Sequence, residues 1–259
     1  MPLAQKILLV VPTVPLLIII LVLTVGLSFL GLVIVRRIVP GHVLKTHNEL
    51  TGAIFEVVAM AYAVLLAFVV IVSWQNYDKA KSYVETEANS LVDLHRASAA
   101  FPRATNDQIR ALLKNYAEIV VAEEWKSLAR GEESMNARAA LRKVWDLYTS
   151  YEPKTEKEKI FLAESVSKLV TLREMRRLRI VESRTGVHPA LWFILIIGGI
   201  TTITFTLFFG AESFTAHAIM ASTLAVTIVL ILYTILLFDY PFTGSVCVNP
   251  EMFQQLINY

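Results

Sequence analysis

The residues best spaced for chemistry in this chain lie on one apolar segment. Val57, Ala61, Val64, Phe68, Ile71 and Gln75 follow one another at intervals of 4, 3, 4, 3 and 4, a period of 3.5 that keeps them in a single stripe of a helix. Such a stripe either packs against another helix of the same subunit or faces a symmetry axis or lumen. About a third of the way round the same helix, Ala59, Ala63 and Ala67 make a small-xxx-small ridge, which lets a second helix approach closely. Glu56 is the one carboxylate well inside the apolar runs, and a charge at membrane depth is costly enough to suggest function. It reads either as one member of a carboxylate ring at a mouth or as a residue in the first turn of its helix, stabilised there by the dipole.

Other candidate chemistry is thinner. His42, His47 and Glu49 cluster in one loop, but their spacing matches no metal-ligand motif, so a solvated loop is expected and no metal. Glu212 and His217 flank a short connection and are expected to cap helix ends. Thr201, Thr202, Thr204 and Thr206 are expected to hydrogen-bond carbonyls of their own helix. With no phosphate loop, nucleophile elbow or paired His/Cys site, neither an enzyme nor a cofactor is expected.

The elements that carry these residues follow from composition. Apolar residues make up 55% of the 259 and charged ones 18%, with a mean hydropathy of +0.56, too apolar for an ordinary soluble domain. Residues 75–188 hold 20 of the 24 Lys/Arg and 17 of the 22 Asp/Glu, leaving 4 and 5 for the rest. Four runs, Ile7–Val35, Ala53–Trp74, Leu191–Gly210 and Ala218–Phe238, reach the roughly 20 residues needed to cross about 30 Å of hydrocarbon. Pro12 and Pro15 predict a kinked or interfacial start to the first, whose core is Leu16–Val35. An all-α protein is expected: 1–74 with transmembrane helices one and two, 75–188 as an inserted helical domain, 189–240 with helices three and four, and 241–259 as a tail.

Four spans place both termini and the inserted domain on one side. Lys6, Lys79, Lys81, Arg173, Arg176, Arg177, Arg179 and Arg184 flank the spans there, against Arg36, Arg37 and Lys45 opposite, so the positive-inside rule favours a cytoplasmic domain. The lone Cys247 rules out an intramolecular disulfide. The cluster from Arg173 to Arg184 adjoins a membrane span, which suggests anionic lipid headgroups rather than nucleic acid as its partner.

Between Gly52 and Pro102 the chain has neither glycine nor proline for 49 residues, which predicts one helix about 74 Å long that leaves the membrane without stopping. Tyr77, Ala80, Val84, Ala88, Leu91 and His95 keep helical spacing through its polar half. Thr105 with Gln108 and Thr155 with Glu158 resemble capping boxes. Domain helices are expected at about 75–101, 106–130, 135–150 and 156–184, with Gly131 ending the second and Pro189 opening span three. Trp74 and Tyr77 fit an interfacial aromatic belt.

The passage from Leu65 to Ala99 resembles the second transmembrane helix of bestrophin channels and its cytosolic continuation. Ala67-Phe68 stands where bestrophins end an apolar constriction in Gly-Phe, and Tyr77-Asp78 with Lys79 matches their Tyr-Asp followed by a basic residue. Asp239-Tyr240-Pro241-Phe242-Thr243-Gly244 is similar to the acidic-x-Pro-Phe-Gly segment after the last bestrophin span. Glu87-Ala88-Asn89, the Phe101-Pro102 break and the Asp239 to Pro250 tail resemble, more closely, a bacterial family called bestrophin-like. The chain has Ala80-Lys81-Ser82-Tyr83 in place of the bestrophin Trp-Trp pair with several arginines, and it lacks their acidic calcium cluster, so calcium gating does not carry over.

The resemblance implies a homopentamer in the cell inner membrane with the Val57 to Gln75 stripe around an axial pore, Val64, Phe68 and Ile71 as an apolar neck, and Glu56 at the mouth. An oligomeric ion channel is the expected function. Within the family some members pass anions and some cations, and this lining is mostly apolar. The alternative is a non-conducting scaffold or sensor that presents the helical domain to a partner.

Overall fold

The computed structural model describes residues 3–257 and contains only helices among them. The α-helices are α1 Leu3–Val10, α2 Thr13–Ile38, α3 Gly41–Thr46, α4 Asn48–Ala97, α5 Arg103–Ile119, α6 Trp125–Leu128, α7 Met135–Ser150, α8 Glu156–Glu182, α9 Pro189–Leu207, α10 Phe214–Asp239 and α11 Glu251–Ile257. A 3₁₀ turn at Ser98–Ala100 extends α4, and a π-helical turn at Val120–Glu124 joins α5 to α6. Four helices are long and apolar enough to cross a membrane: α2, α4, α9 and α10.

The chain divides into two compact units. One holds Val10–Gln75 and Gly186–Asp239; the other holds Met1–Leu9, Asn76–Thr185 and Tyr240–Tyr259. In the first, α2, α9 and α10 pack together through Leu32, Leu207 and Ala221, and α4 joins α9 and α10 through Tyr62, Leu66, Val69, Leu195, Ile228 and Ile235. Pro12 separates α1 from α2, as its missing N–H and fixed φ dictate. In the second unit, the polar half of α4 contributes Ala80, Val84, Ala88, Leu91 and Leu94 to a core completed by Ile109, Leu113, Leu128, Val144, Leu169 and Leu172. Phe253 and Leu256 of α11 are buried in that core.

The long helix runs unbroken through Tyr62–Leu94, as the run without glycine or proline predicts. Its start differs: α4 begins at Asn48, and Gly52 lies inside it. The Asn48 amide fixes that start, donating to the Gly210 carbonyl at 3.1 Å and accepting from the Gly210 N–H at 2.8 Å. Only glycine fits at 210, because a Cβ there would stand 2.5 Å from the Lys45 backbone nitrogen.

Capping follows the sequence in part. Thr155 Oγ1 accepts from the Glu158 N–H at 3.1 Å, and Gly131 adopts a positive φ of 69°, which suits a helix C-terminus. Thr105 does not cap: α5 starts at Arg103, directly after Pro102, which fixes the break. Ser134 caps α7 by accepting from the Ala137 N–H.

Candidate functional site

The membrane half of α4 has two opposite faces. Tyr62, Leu66, Val69 and Ser73 are buried, at spacings of 4, 3 and 4. Val64, Phe68, Ile71 and Gln75 each follow one of these by two positions, about 200° around the helix, and all are exposed, Phe68 at 65% and Val64 at 51%. Val57 and Ala61 are exposed as well. The whole stripe is therefore left unused by the helices of its own chain. On the ridge, Ala63 and Ala67 are exposed and Ala59 is half-buried.

Glu56 is exposed, but its setting differs from the expected one. Because α4 starts at Asn48, Glu49 occupies the first turn and Glu56 falls in the third, beyond the reach of the terminal dipole.

The buried face of α4 is keyed by Tyr62. Its hydroxyl donates to the Leu195 carbonyl at 2.8 Å, and its ring lies over a glycine pair in α9. A Cβ at Gly198 would come within 2.6 Å of that ring, and one at Gly199 within 2.9 Å of the hydroxyl. The aromatic ring thus fills a notch that larger residues would close, which fixes the rotation of α4 about its axis and so the direction of the exposed stripe.

In the helical unit, the arginine cluster behaves differently from a lipid-facing patch. Arg179 is wholly buried, donating from Nε and Nη2 to Glu87 at 2.7 and 2.9 Å and from Nη2 to Glu124 at 2.8 Å. Arg176 is buried too and donates to Glu124 and to Glu133. The Tyr116 hydroxyl donates to Glu87 at 2.6 Å. Burial, then the neighbouring carboxylates, push that hydroxyl well above its ordinary pKa. Burial opposes the charge on Arg179, but Glu87 and Glu124 outweigh it and raise its pKa. The Arg179 guanidinium also lies over Trp125 at 5.0 Å and Phe253 at 5.7 Å. Arg176 and Arg179 are thus taken out of the proposed headgroup site, while Arg173, Arg177 and Arg184 remain exposed.

The other candidates separate cleanly. Among the described residues, no group of His, Cys, Asp and Glu is arranged to hold a metal. Glu212 caps no helix; it pairs with Lys45 at 3.0 Å. His217 is buried, with Nε2 2.7 Å from the Thr206 carbonyl and Nδ1 3.4 Å from Arg36. A carbonyl only accepts, so Nε2 carries the proton and Nδ1 accepts from Arg36. Thr202 and Thr206 donate to the carbonyls of Gly198 and Ile203 in their own helix. Asp239, a buried carboxylate at the end of α10, accepts from the Val187 N–H and from Trp192 Nε1 at 3.1 Å. A Cβ at Gly186 would stand 3.0 Å from its Oδ1, so glycine there gives the carboxylate its room.

Two sequence signals for this architecture lie in the helical periodicity. Ser165, Leu169, Leu172, Arg176, Arg179 and Ser183 are all buried at 4, 3, 4, 3, 4 spacing, which marks the two arginines as core positions. Glu87 likewise sits three residues after Val84 in the buried stripe of α4.

Comparison with known proteins agrees with this architecture. Crystal structures of a bacterial bestrophin homolog from Klebsiella pneumoniae superpose on 93% of the chain. One mutant form has a TM-score of 0.72 at 15% identity, covering 98% of that chain. A second crystal structure of that homolog has a TM-score of 0.70 at 16% identity, covering 96% of that chain. No curated protein sequence matches. A bestrophin-like domain matches residues 22–253; the chain belongs to the bestrophin-like family.

Proposed function

We propose that this protein is an oligomeric ion channel, a homopentamer of the inner membrane in which α4 from each subunit lines an axial pore. The observation that carries this reading is the Val57 to Gln75 stripe, exposed along its length and opposite the face that seats α4 on α9 and α10. A continuous row of apolar side chains ending in Gln75 suits an apolar neck, where dewetting sets the barrier to ions. The family supports it, since bestrophins are ion channels rather than enzymes. In this reading Val64, Phe68 and Ile71 form the neck, and Glu56 contributes a carboxylate ring near the mouth. The ridge of Ala63 and Ala67 meets a neighbouring α4, and residues 75–188 lie in the cytoplasm.

Currents through reconstituted planar bilayers test it. Phe68→Ala should widen and wet the neck and raise conductance, because ions entering a narrow apolar ring lose hydration without compensation. Ala63→Leu should instead disturb assembly, read as a change in the mass of the detergent-solubilised complex. Unchanged conductance in Phe68→Ala would overturn the neck assignment. A monomeric or dimeric mass for the wild type would overturn the axial pore.

A further inference from the structure

Beside the α4 stripe, the membrane unit carries a second apolar feature, a groove of about 460 Å³ between α2 and α10. Phe29 forms one wall, and Phe214, Ala218, Ser222 and Val226 run along the other. Phe214 opens α10, so the groove begins at a helix end and reaches Val226, twelve residues or about 18 Å further in. That depth is about half of the roughly 30 Å hydrocarbon core, the share of one leaflet.

The mouth is cationic. Arg36 and Arg37 occupy the last turn of α2, and Arg36 stands seven residues after Phe29, on the same helix face and about 10 Å nearer the end. Its guanidinium lies 5.6 Å over the Phe214 ring, and Phe29 meets that ring edge-on at 5.6 Å. Arg36 is held in place by the Ala211 carbonyl at 2.7 Å and by His217, while its Nε–H has no hydrogen-bond partner among the described residues. Arg37 is exposed. The nearby carboxylate of Glu212 is paired with Lys45.

We infer that the α2–α10 groove seats one acyl chain of an anionic phospholipid, with its phosphate held by Arg36 and Arg37. A one-leaflet apolar slot with fixed cations at headgroup level matches that amphiphile in length and in charge. Neutral lipids would share only the slot. The site is independent of whether the protein conducts.

The experiment counts lipids retained by the full-length protein in native mass spectrometry after delipidation in mild detergent. The probes are palmitoyl-oleoyl phosphatidylglycerol, phosphatidylcholine with the same chains, and inorganic phosphate. The wild type should retain one phosphatidylglycerol per subunit in preference to phosphatidylcholine, and Arg37→Gln should cut that preference roughly fivefold, the weight of one cation near a membrane surface. Ser222→Trp, which fills the groove, should abolish retention of both lipids at unchanged complex mass. Equal retention of the two lipids, or undiminished retention in Ser222→Trp, would overturn the site. So would displacement of phosphatidylglycerol by inorganic phosphate, which would leave an anion site without a chain, or a changed complex mass in Ser222→Trp, which would make the groove a subunit contact.

Discussion

The two compact units are both helical, yet they place their polar groups in opposite ways. The helical unit hides full charges at its centre: Glu87, Glu124, Arg176 and Arg179 are buried among leucines. The membrane unit buries no such ion network and joins its helices by single side-chain-to-backbone bonds and close backbone approach. Examples are Tyr62 to the Leu195 carbonyl, Tyr233 to the Thr13 carbonyl at 2.6 Å, and His217 to the Thr206 carbonyl. The surrounding solvent explains the difference. In water, burial of apolar area holds helices together with enough surplus to carry buried ions. In lipid that force between helices is absent, so contact geometry and isolated hydrogen bonds must suffice.

The strongest way to break this comparison is Arg179→Met. Removing the cation leaves the buried Glu87 without a counter-charge, while Glu124 keeps Arg176, and the loss should be about 3–5 kcal/mol, seen as a sharp fall in the thermal midpoint of helix content in detergent. Arg179→Met combined with Glu87→Gln should recover part of it. A neutral Arg179→Met would mean that the network contributes nothing to the fold.

Next in size, Gly198→Ala should destabilise the membrane unit by about 1–3 kcal/mol, as overpacking does, because its Cβ would meet the Tyr62 ring at 2.6 Å. Tyr62→Leu in the same chain should relieve the clash, and failure to do so would mean that the notch is not what seats α4. Tyr62→Phe keeps the ring and loses one bond, so its cost should be only about 0.6 kcal/mol, the average for interhelical hydrogen bonds in membranes. Smallest is Phe68→Ala, whose side chain touches little of its own subunit. It should leave subunit stability within about 0.5 kcal/mol while changing conductance. A large stability loss would place Phe68 in a packing contact instead.

The sequence revealed whatever depends on one period or one breaker. The run from Gly52 to Pro102 defined the long helix because nothing in it interrupts the hydrogen-bond ladder, and Thr155 revealed its cap through a local motif. The start at Asn48 was hidden, since it depends on Gly210, 162 residues away. Thr105 misled because Pro102 already fixes the break. By composition the arginines of α8 read as a surface cluster, although the spacing of Arg176 and Arg179 matches that of the buried Leu169 and Leu172. The Phe68 stripe is visible only as exposure, since among the described residues nothing within the one chain covers it.

The π-helical turn at Val120–Glu124 has a consequence for how this domain tolerates changes in length. Tyr116, Val120, Glu124 and Leu128 are all buried, although three successive steps of four residues would drift about 120° around an uninterrupted α-helix. The wide turn, with its i→i+5 bonding, takes that drift back and returns Glu124 to the side of Arg176 and Arg179. Deleting one residue there would cost the backbone little, since it would only restore the regular helical ladder. Tyr116 and Leu128 would then be eleven residues apart, which a regular helix brings to within about 20° of one face, so the residues after the deletion would stay in phase with the core. At the present length, by contrast, a regular helix would turn Glu124 about 80° from the face of Tyr116, so it is the wide turn that lets an extra residue be carried here without opening the ion network.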